Sequence, residues 1–253
     1  MTPNPILKVL SILKKYRIKC LLIGGQACIV YGAAEFSRDS DFIILCTPGN
    51  LKLLEKALNY LKAELIYVPQ LETKYLERGH ACHFRCKAKG VENLRIDVIS
   101  KLRGCDSFNK LWKRKNTISL KEGNIIDVIS LRDLVQSKKT QRDKDWLMLN
   151  RLVENDIILH GDAPAGDQLR WWFYELRSTS RLIELAKEYP KIAKRCVAKR
   201  PLLSYVIKGD IKKLDQQLQK EELVERKKDI KYWAPLKKEL EILRWQLSPK
   251  YSP

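Results

Sequence analysis

The segment "LLIGGQACIVYGAAEFSRDSDFIIL", residues 21–45, contains two apolar runs joined by a glycine-rich turn and a short helix-like stretch. The first run, "IKCLLIG" (18–24), ends at a double glycine, and the second, "SDFIILC" (40–46), follows an aspartate. Short apolar runs bounded by turn residues predict buried strands, and the stretch between them predicts a helix that opens at Gly24–Gly25. Strands and helices that alternate at this spacing predict an α/β or α+β domain.

Two aspartates, Asp39 and Asp41, stand one residue apart at the entrance to the second apolar run. In a strand, residues i and i+2 project to the same face about 6.6 Å apart, so Ser37 shares the face of the two aspartates. Two carboxylates this close repel each other unless a cation lies between them. Magnesium prefers hard oxygen ligands and completes its coordination shell with water and phosphate oxygens. The pair indicates a metal site; the alternative is a polar turn that precedes a strand.

A third carboxylate, Asp97, interrupts the apolar strand-like run "LRIDVIS" (94–100). A charge in such a run is costly unless it has a partner. If this strand lies beside "SDFIILC", the three carboxylates converge and can hold two metal ions about 3.5–4 Å apart, the arrangement used for in-line phosphoryl transfer. The backbone amides of the double glycine, at a strand-to-helix turn, can bind a phosphate.

The remaining pattern divides the chain at residue 158 into a mixed α+β domain, residues 1–158, and an all-helical C-terminal domain, residues 159–253. Beyond the loop "HGDAPAGDQ" (160–168) the apolar residues show only helical spacing, and the tryptophans and tyrosines there are expected to be core anchors rather than platforms for stacking bases. The other helices predicted in the first part lie at 5–16, at 51–62 (capped by Asn50) and in 131–155. The other predicted strands lie near 64–68 and at 80–87. Two more strands, at 116–120 and 124–130, are predicted to pair around the turn "KEGN".

Composition favours a folded, basic protein of the cytoplasm. The 49 Lys and Arg residues against 30 Asp and Glu residues give a net charge of +19, which favours a polyphosphate partner such as nucleic acid; the alternative is a generally lysine-rich surface. The apolar runs fit a strand and a helix better than a membrane span, and no signal peptide is recognised at the N-terminus, so the cysteines are expected to be reduced. In "HACHFRC" (80–86) a core strand is favoured over a zinc site, and with only three histidines in the chain, Ser-His-Asp and Cys-His catalysis are disfavoured.

The ordered combination of motifs resembles the nucleotidyltransferase superfamily that includes DNA polymerase beta. "IGGQACIVYG" (23–32) followed by "FSRDSDFIIL" (36–45) is similar to the superfamily's GG and paired-aspartate motif, and "RIDVIS" (95–100) is similar to its third carboxylate motif. The chain also resembles small uncharacterised bacterial nucleotidyltransferases related to abortive-infection and toxin–antitoxin enzymes, whose closing helical motif matches "LRDLVQSKKTQRDKDWLML" (131–149). The resemblance covers about residues 15–155.

This resemblance implies an enzyme that transfers a nucleoside monophosphate from a nucleoside triphosphate such as ATP to a hydroxyl group, with magnesium or manganese as cofactor. Asp39 and Asp41 would bind the metal that carries the triphosphate. Asp97 would share a second metal and help to deprotonate the attacking hydroxyl. The residues that would contact the triphosphate or the pyrophosphate are Gly24, Gly25, Ser37 and, on the closing helix, Lys139 and Arg142. Lys138 is an alternative to Lys139, and an ordinary basic helix face is the other interpretation of this last group.

Two positions depart from the family pattern: Ser40 stands where an apolar residue is usual, and Glu35 stands where a basic residue is frequent. They support an alternative hypothesis, an inactive nucleotidyltransferase fold that binds nucleic acid or a partner protein. For an active enzyme, the basic surface favours RNA, such as a tRNA end, as acceptor, and protein or small-molecule hydroxyls stay open. A further possibility is a toxin-type enzyme with an antitoxin partner.

Overall fold

The computed structural model describes residues 5–119 and 125–246. The chain forms two compact units. The first consists of Met1–Ser137 together with Tyr232–Pro253, and the second is Lys138–Lys231. The strands are β1 (Cys20–Ile23), β2 (Asp39–Ile44), β3 (Glu64–Leu65), β4 (Cys82–Arg85), β5 (Arg95–Ile99), β6 (Asn116–Ser119) and β7 (Ile125–Val128). The helices before residue 138 are α1 (Pro5–Lys15), α2 (Gly24–Val30), α3 (Pro48–Tyr60), α4 (Thr73–Leu76), α5 (Phe108–Lys113) and α6 (Leu131–Ser137). Those that follow are α7 (Asp143–His160), α8 (Gly166–Glu175), α9 (Thr179–Glu188), α10 (Pro190–Cys196), α11 (Leu203–Lys208) and α12 (Ile211–Gln246).

One seven-stranded sheet organises the first unit, with the strand order β3-β4-β5-β2-β1-β7-β6. Its pairing is mixed: β2 runs parallel to β5 and antiparallel to β1, while β1 runs parallel to β7. The parallel β2–β5 pair places Asp41 directly beside Asp97 and Asp39 beside Arg95. The condition stated for convergence of the carboxylates, that the "LRIDVIS" strand lies beside "SDFIILC", is therefore met.

The two faces of this sheet differ in polarity because side chains alternate along each strand. One face belongs to the core; along β2, β4 and β5 its buried residues are Ser40, Phe42, Cys82, Phe84, Ile96 and Val98. The opposite face carries Asp39, Asp41, His83, Arg95 and Asp97, which are partly exposed, and, further along β2, the fully buried Ile43. The polar residues needed for chemistry are thus gathered on one side.

Strand β4 confirms the interpretation of "HACHFRC" as a core strand. Cys82 and Cys86 are both fully buried. Burial raises the pKa of the Cys82 thiol to about 12 and that of the Cys86 thiol to about 11, so both stay protonated at neutral pH. All seven cysteines of the chain lie in its described part, and all seven are free thiols.

Helix α3 begins differently from the prediction, which made Asn50 its cap. Thr47 is the N-cap, its hydroxyl accepts a hydrogen bond from the Asn50 amide, and Pro48 occupies the first turn, where its missing N–H costs nothing. The Asn50 side chain is buried instead and bonds the backbone of Lys19 and Leu45. A proline two residues before a candidate cap was the signal that the helix starts earlier.

Every secondary-structure element among the described residues of the second unit is a helix, as the sequence predicted for residues 159–253. Trp172 is fully buried on α8, and its indole N–H donates to Asp156 on α7 over 2.7 Å. This buried pair anchors α8 to α7 and confirms the expectation of a core role for Trp172.

The compact units divide the chain differently from the predicted boundary at residue 158. Helix α7 begins at Asp143 and lies wholly in the second unit, whereas the last part of α12 belongs to the first. There, Glu239 lies 2.7 Å from the buried His80 and 3.3 Å from Arg78. Contacts between residues so distant in sequence leave no signal in a local pattern, and the functional domain boundary stays a prediction.

The α+β class with a helical C-terminal part is confirmed by the mixed sheet and the helices beyond it. The turn "KEGN" lies outside the described residues, but β6 and β7 on either side of it pair antiparallel as predicted. None of the described helices combines the length and the hydropathy needed to cross a membrane.

Ser40 provides a test of the sheet register. Its hydroxyl is buried on the core face and has no hydrogen-bond partner within the described chain. A buried hydroxyl without a partner costs free energy, so we expect Ser40→Ala to raise the free energy of unfolding by about 1 kcal/mol in urea titrations. Ser119→Ala, on the exposed face of β6, is the matched control and should change it by less than about 0.5 kcal/mol. A loss of stability in Ser40→Ala would contradict the register.

Candidate active site

The candidate site is built on one row of residues that crosses three strands. Asp41 on β2 has Asp97 on β5 as its register partner, and Asp97 in turn has His83 on β4. Neighbouring strands lie about 4.8 Å apart, so the two carboxylates and the imidazole are adjacent on the polar face. Asp39 lies one step along β2, beside Arg95.

Glycine is required at positions 24 and 25 because the backbone there passes very close to Asp41 and Ser37. Gly24 has a φ of +66°, a left-handed conformation that favours glycine. A Cβ atom on Gly24 would lie 2.8 Å from the Cβ of Asp41 and closer still to its carboxylate. A Cβ on Gly25 would lie 2.9 Å from the Cβ of Ser37 and closer to its hydroxyl. The turn therefore places bare backbone against Asp41 and Ser37.

The loop that leads into β2 is held by the helix that follows the glycines. Gln26 on α2 is buried, and its amide donates to the Ser37 carbonyl over 2.8 Å. The Ser37 hydroxyl donates to the Asp39 carbonyl over 3.2 Å. These two bonds connect the glycine turn to the paired aspartates and keep Ser37 beside them.

Asp97 is held by two basic side chains. Its Oδ1 accepts a hydrogen bond from Arg95 Nε over 2.7 Å and lies 2.9 Å from Nδ1 of His83. Nδ1 also lies 2.9 Å from Nη2 of Arg95, so it can donate to the carboxylate or accept from the guanidinium, depending on its tautomer. Burial alone would raise the pKa of the Asp97 carboxyl, but the bonds to His83 and Arg95 outweigh it and lower the pKa.

The electrostatic balance of this face favours a cation. Arg95 compensates one of the three carboxylates, and its own pKa is raised by the bond to Asp97, with the charge of Asp39 adding to the effect. Asp41 lies directly beside Asp97 on the neighbouring strand, and like charges that stand this close across a strand pair repel each other.

Magnesium fits the donor set in chemical type but not as a preassembled cage. Carboxylate oxygens with open positions for water and phosphate are the ligands that magnesium prefers. Within residues 5–119 and 125–246, however, no group of three or more His, Cys, Asp or Glu side chains is placed to hold a metal ion. The position of Asp97 accounts for the lack of a three-ligand group, because its Oδ1 already bonds to Arg95 and His83. Asp39 and Asp41 would hold the metal, and Asp97 would join them after exchanging these partners.

The structure brings six of the predicted site residues to one end of β1, β2 and β5, and the other two belong to the second unit. The six are Gly24, Gly25, Ser37, Asp39, Asp41 and Asp97. Lys139 and Arg142 belong to the second unit. They lie in the connection between α6 and α7 rather than on the predicted closing helix.

That connection has its own network of bonds, which explains why it is not helical. Lys139 pairs with Glu175 at 2.7 Å, and Arg142 pairs with Asp145 at 2.7 Å. Lys138 is buried and also pairs with Asp145, at 2.9 Å. The Thr140 hydroxyl donates to Asp145 and accepts from the Arg142 amide, which fixes a turn ahead of α7. A contact of Lys139 or Arg142 with the triphosphate stays a prediction.

Sequence reasoning did not single out His83, Arg95 and Gln26. Arg95 had a signal, because it stands two residues before Asp97 and so shares its face on a strand. His83 lies in a predicted strand, but its neighbour across the sheet is known only from the pairing. Gln26 carries a polar side chain into a buried helix, which is unusual enough to suggest a specific partner.

The structure also shows where Ser40 and Glu35, the two departures from the family pattern, lie. Ser40 projects to the core face, away from the carboxylates, so it takes no position at the site. Glu35 is exposed on the loop before β2, where solvent screens its charge. Neither residue removes a ligand.

Comparisons with known proteins give solved structures only: no family model and no curated protein matches the chain. The lincosamide antibiotic adenylyltransferase LnuA, in a lincomycin-bound structure, is similar with a TM-score of 0.44 and 13% identity, over 60% of this chain and 96% of that one. A candidate nucleotidyltransferase from H. pylori is similar with a TM-score of 0.38 and 14% identity, over 90% and 94%. Nucleotidyltransferases are thus among the similar structures. At TM-scores below 0.5, these likenesses carry no weight for function, which is inferred below from the residues themselves.

Substitution of the first glycine tests the close approach of the turn to Asp41. We expect Gly24→Ala to lower the free energy of unfolding by about 1–2 kcal/mol, because a left-handed φ is unfavourable for alanine and the new methyl group displaces Asp41. Gly49→Ala on α3 is the matched control: a Cβ there meets nothing within 4 Å, so stability should be unchanged or slightly higher. Equal stabilities in urea titrations would contradict the close approach.

The bonds to Asp97 predict a specific acid dependence of stability. Because its pKa is lowered in the folded state, Asp97 stabilises the protein above its unfolded pKa of about 4 and loses this contribution as the pH falls through the folded value. Asp97→Asn should therefore be less stable than the parent at pH 7, and the difference should shrink towards pH 2–3. The measurement is urea unfolding at a series of pH values. Glu55→Gln, at an exposed acid on α3, is the control. A difference in the free energy of unfolding between Asp97→Asn and the parent that does not change with pH would contradict the assigned bonds.

Proposed function

We propose that this chain is a magnesium-dependent nucleotidyltransferase that transfers a nucleoside monophosphate from a nucleoside triphosphate to a hydroxyl acceptor and releases pyrophosphate. The observation that carries the proposal is the register of β2 and β5, which sets Asp41 beside Asp97 while the Gly24 backbone is packed against Asp41. Paired carboxylates on adjacent strands with bare backbone beside them suit a metal-bound triphosphate.

Each site residue has a role in this proposal. Asp39 and Asp41 hold the magnesium, which when bound neutralises the phosphate oxygens and orients the triphosphate. Gly24 and Gly25 contact the phosphates through their backbone, and Ser37 offers a hydroxyl to them. Asp97 accepts the proton of the attacking hydroxyl, directly or through water.

Arg95 has two roles consistent with its position. It compensates the charge of Asp97 through their bond at 2.7 Å, which limits repulsion from Asp41 across the strand pair. Together with His83 it also lowers the pKa of Asp97, so that this carboxyl stays ionised at neutral pH.

The proposal also covers the acceptor, the triphosphate, the metal ion, the location and a partner protein. RNA, such as the end of a tRNA, is favoured by the net charge of +19, since phosphate contacts with lysine and arginine dominate nucleic-acid affinity. ATP is one candidate among the triphosphates, and manganese can replace magnesium in such carboxylate sites. The cytoplasm is the proposed location, and an antitoxin is a proposed partner if the enzyme is of the toxin type.

A second candidate function is favoured by the engagement of Asp97. With its Oδ1 bonded to Arg95 and His83, the row already has internal charge compensation. The chain would then be a basic module that binds nucleic acid or a partner protein without transferring a nucleotide. The two candidates differ in one property: only the enzyme needs magnesium to bind the triphosphate tightly.

Asp39 offers the most direct test. Incubation with each labelled nucleoside triphosphate, magnesium and total RNA should label an acceptor, and Asp39→Ala should reduce this labelling at least about 100-fold, since even outer partners of metal ligands are worth about 10- to 100-fold. Thermal unfolding of Asp39→Ala should be unchanged or improved, because a repelling carboxylate is removed. Asp162→Ala, at an exposed aspartate of the second unit, is the control and should retain full activity.

The outcomes separate the two candidate functions. Labelling that persists in Asp39→Ala would overturn the assigned metal site. Absence of labelling by the parent protein, combined with calorimetric binding of the triphosphate that is equal with magnesium and with EDTA, would favour the binding module.

A further inference from the structure

A large cavity lies within the second unit, between α8, the segment 199–202 and α12. Its volume is about 590 Å³, which is within the range of about 300–1,000 Å³ typical of small-molecule sites. All of its lining residues belong to the second unit, so it is separate from the carboxylate row. We refer to it as the α8–α12 cavity.

A surplus of positive charge lies in the wall of this cavity. Arg177 and Arg200 both bond the single carboxylate of Glu221, at 2.7 Å and 2.8 Å. Arg200 is buried, and its Nη1 also donates to two backbone carbonyls at 2.9 Å. Nε of Arg177 is buried and has no hydrogen-bond partner within the described chain. Two guanidinium groups that share one carboxylate leave a net positive charge that an anion would compensate.

Four lysines lie at the rim, and two of them, Lys199 and Lys220, have no acidic partner among the described residues. Six of the lining residues are basic and three are acidic. Lys139 pairs with Glu175, and Lys228 pairs with Glu225. Lys199 and Lys220 are exposed, and Nζ of Lys199 lies 4.5 Å from the centre of the Tyr174 ring. The cavity is therefore cationic both in its wall and at its rim.

Two aromatic side chains complete the lining. Trp171 and Tyr174 stand three residues apart on α8, which places them on neighbouring positions of one helix face. Both are half-buried, whereas Trp172 between them is fully buried. The expectation of core anchors holds for Trp172, but Trp171 and Tyr174 line the cavity instead.

We propose that the α8–α12 cavity binds a nucleoside phosphate unit, with the base stacked on Trp171 or Tyr174 and the phosphate near Lys199 and Lys220. Aromatic rings beside a basic groove are the features that bind unpaired nucleotides. The unit has two possible sources, a free nucleotide or the end of a single-stranded RNA. The proposal goes beyond nucleotidyl transfer because it assigns a second site, one that an inactive chain would also possess.

Binding can be measured without the transfer reaction. The probe is a single-stranded RNA of about twelve nucleotides, labelled at its 5′ end and followed by fluorescence anisotropy with the full chain in EDTA. Trp171→Ala should weaken binding about tenfold or more. Lys199→Gln and Lys220→Gln should each reduce the slope of log K against log salt by about 0.7. Lys191→Gln, at an exposed lysine of α10 outside the cavity, is the matched control and should change neither quantity.

The lysine variants keep the test valid if Trp171→Ala is destabilised, because both lysines are exposed. Competition by unlabelled AMP would identify a mononucleotide site, and displacement only by unlabelled RNA would identify a strand end. Binding in the Trp171 and Lys220 variants equal to that of Lys191→Gln would overturn the proposal. So would equal affinity for an RNA duplex, whose bases offer no free face. Because magnesium and triphosphate are absent, failure here is distinct from failure of the Asp39 test.

Discussion

The parallel pairing of β2 with β5 is the constraint on which the candidate site depends. Its register sets the carboxylates of Asp41 and Asp97 side by side, where they repel each other. The neighbouring residues of the site reduce this repulsion. Arg95 and His83 compensate Asp97 from the next positions on the sheet, while the Gly24 turn leaves Asp41 the space it needs. The carboxylate pair, together with a glycine turn in a left-handed conformation, is the feature from which the proposed function is inferred.

The core face supports this arrangement without taking part in it. Alternation along β2 and β5 means that each site residue is flanked by buried neighbours, such as Phe42 beside Asp41 and Ile96 beside Asp97. The carboxylates are thus carried on strands that are fixed by packing on the other side, and a catalytic constellation requires such a rigid support. Ser40 shows the same separation: a polar departure from the family pattern falls on the core face and affects stability rather than ligand binding.

Local sequence patterns predicted the sheet elements, the shared face of Asp39 and Asp41 and the approach of Asp97, because each follows from strand periodicity and apolar runs. Three features were beyond that reasoning for physical reasons. The side chain of Asn50 does not act as the predicted helix cap, because it makes buried tertiary bonds to Lys19 and Leu45 that no local pattern specifies. Lys139 and Arg142 were placed on a helix because the turn at Thr140 depends on side-chain bonds to Asp145. The imidazole of His83 reaches Asp97 only through the β4–β5 pairing, which no local pattern specifies.

The last part of α12 has a consequence for the order in which the protein can be completed. His80 is buried directly before β4, and its Nε2 lies 2.7 Å from Glu239, a residue 159 positions further along the chain. The unit that carries the aspartates is therefore discontinuous, with residues 138–231 inserted between its two pieces. During synthesis the whole helical insert is made before Glu239 is added to the chain. A chain that ends ahead of α12 lacks the residues that contact His80 and lie beside Gly79, so the first unit is completed only after the second has been synthesised.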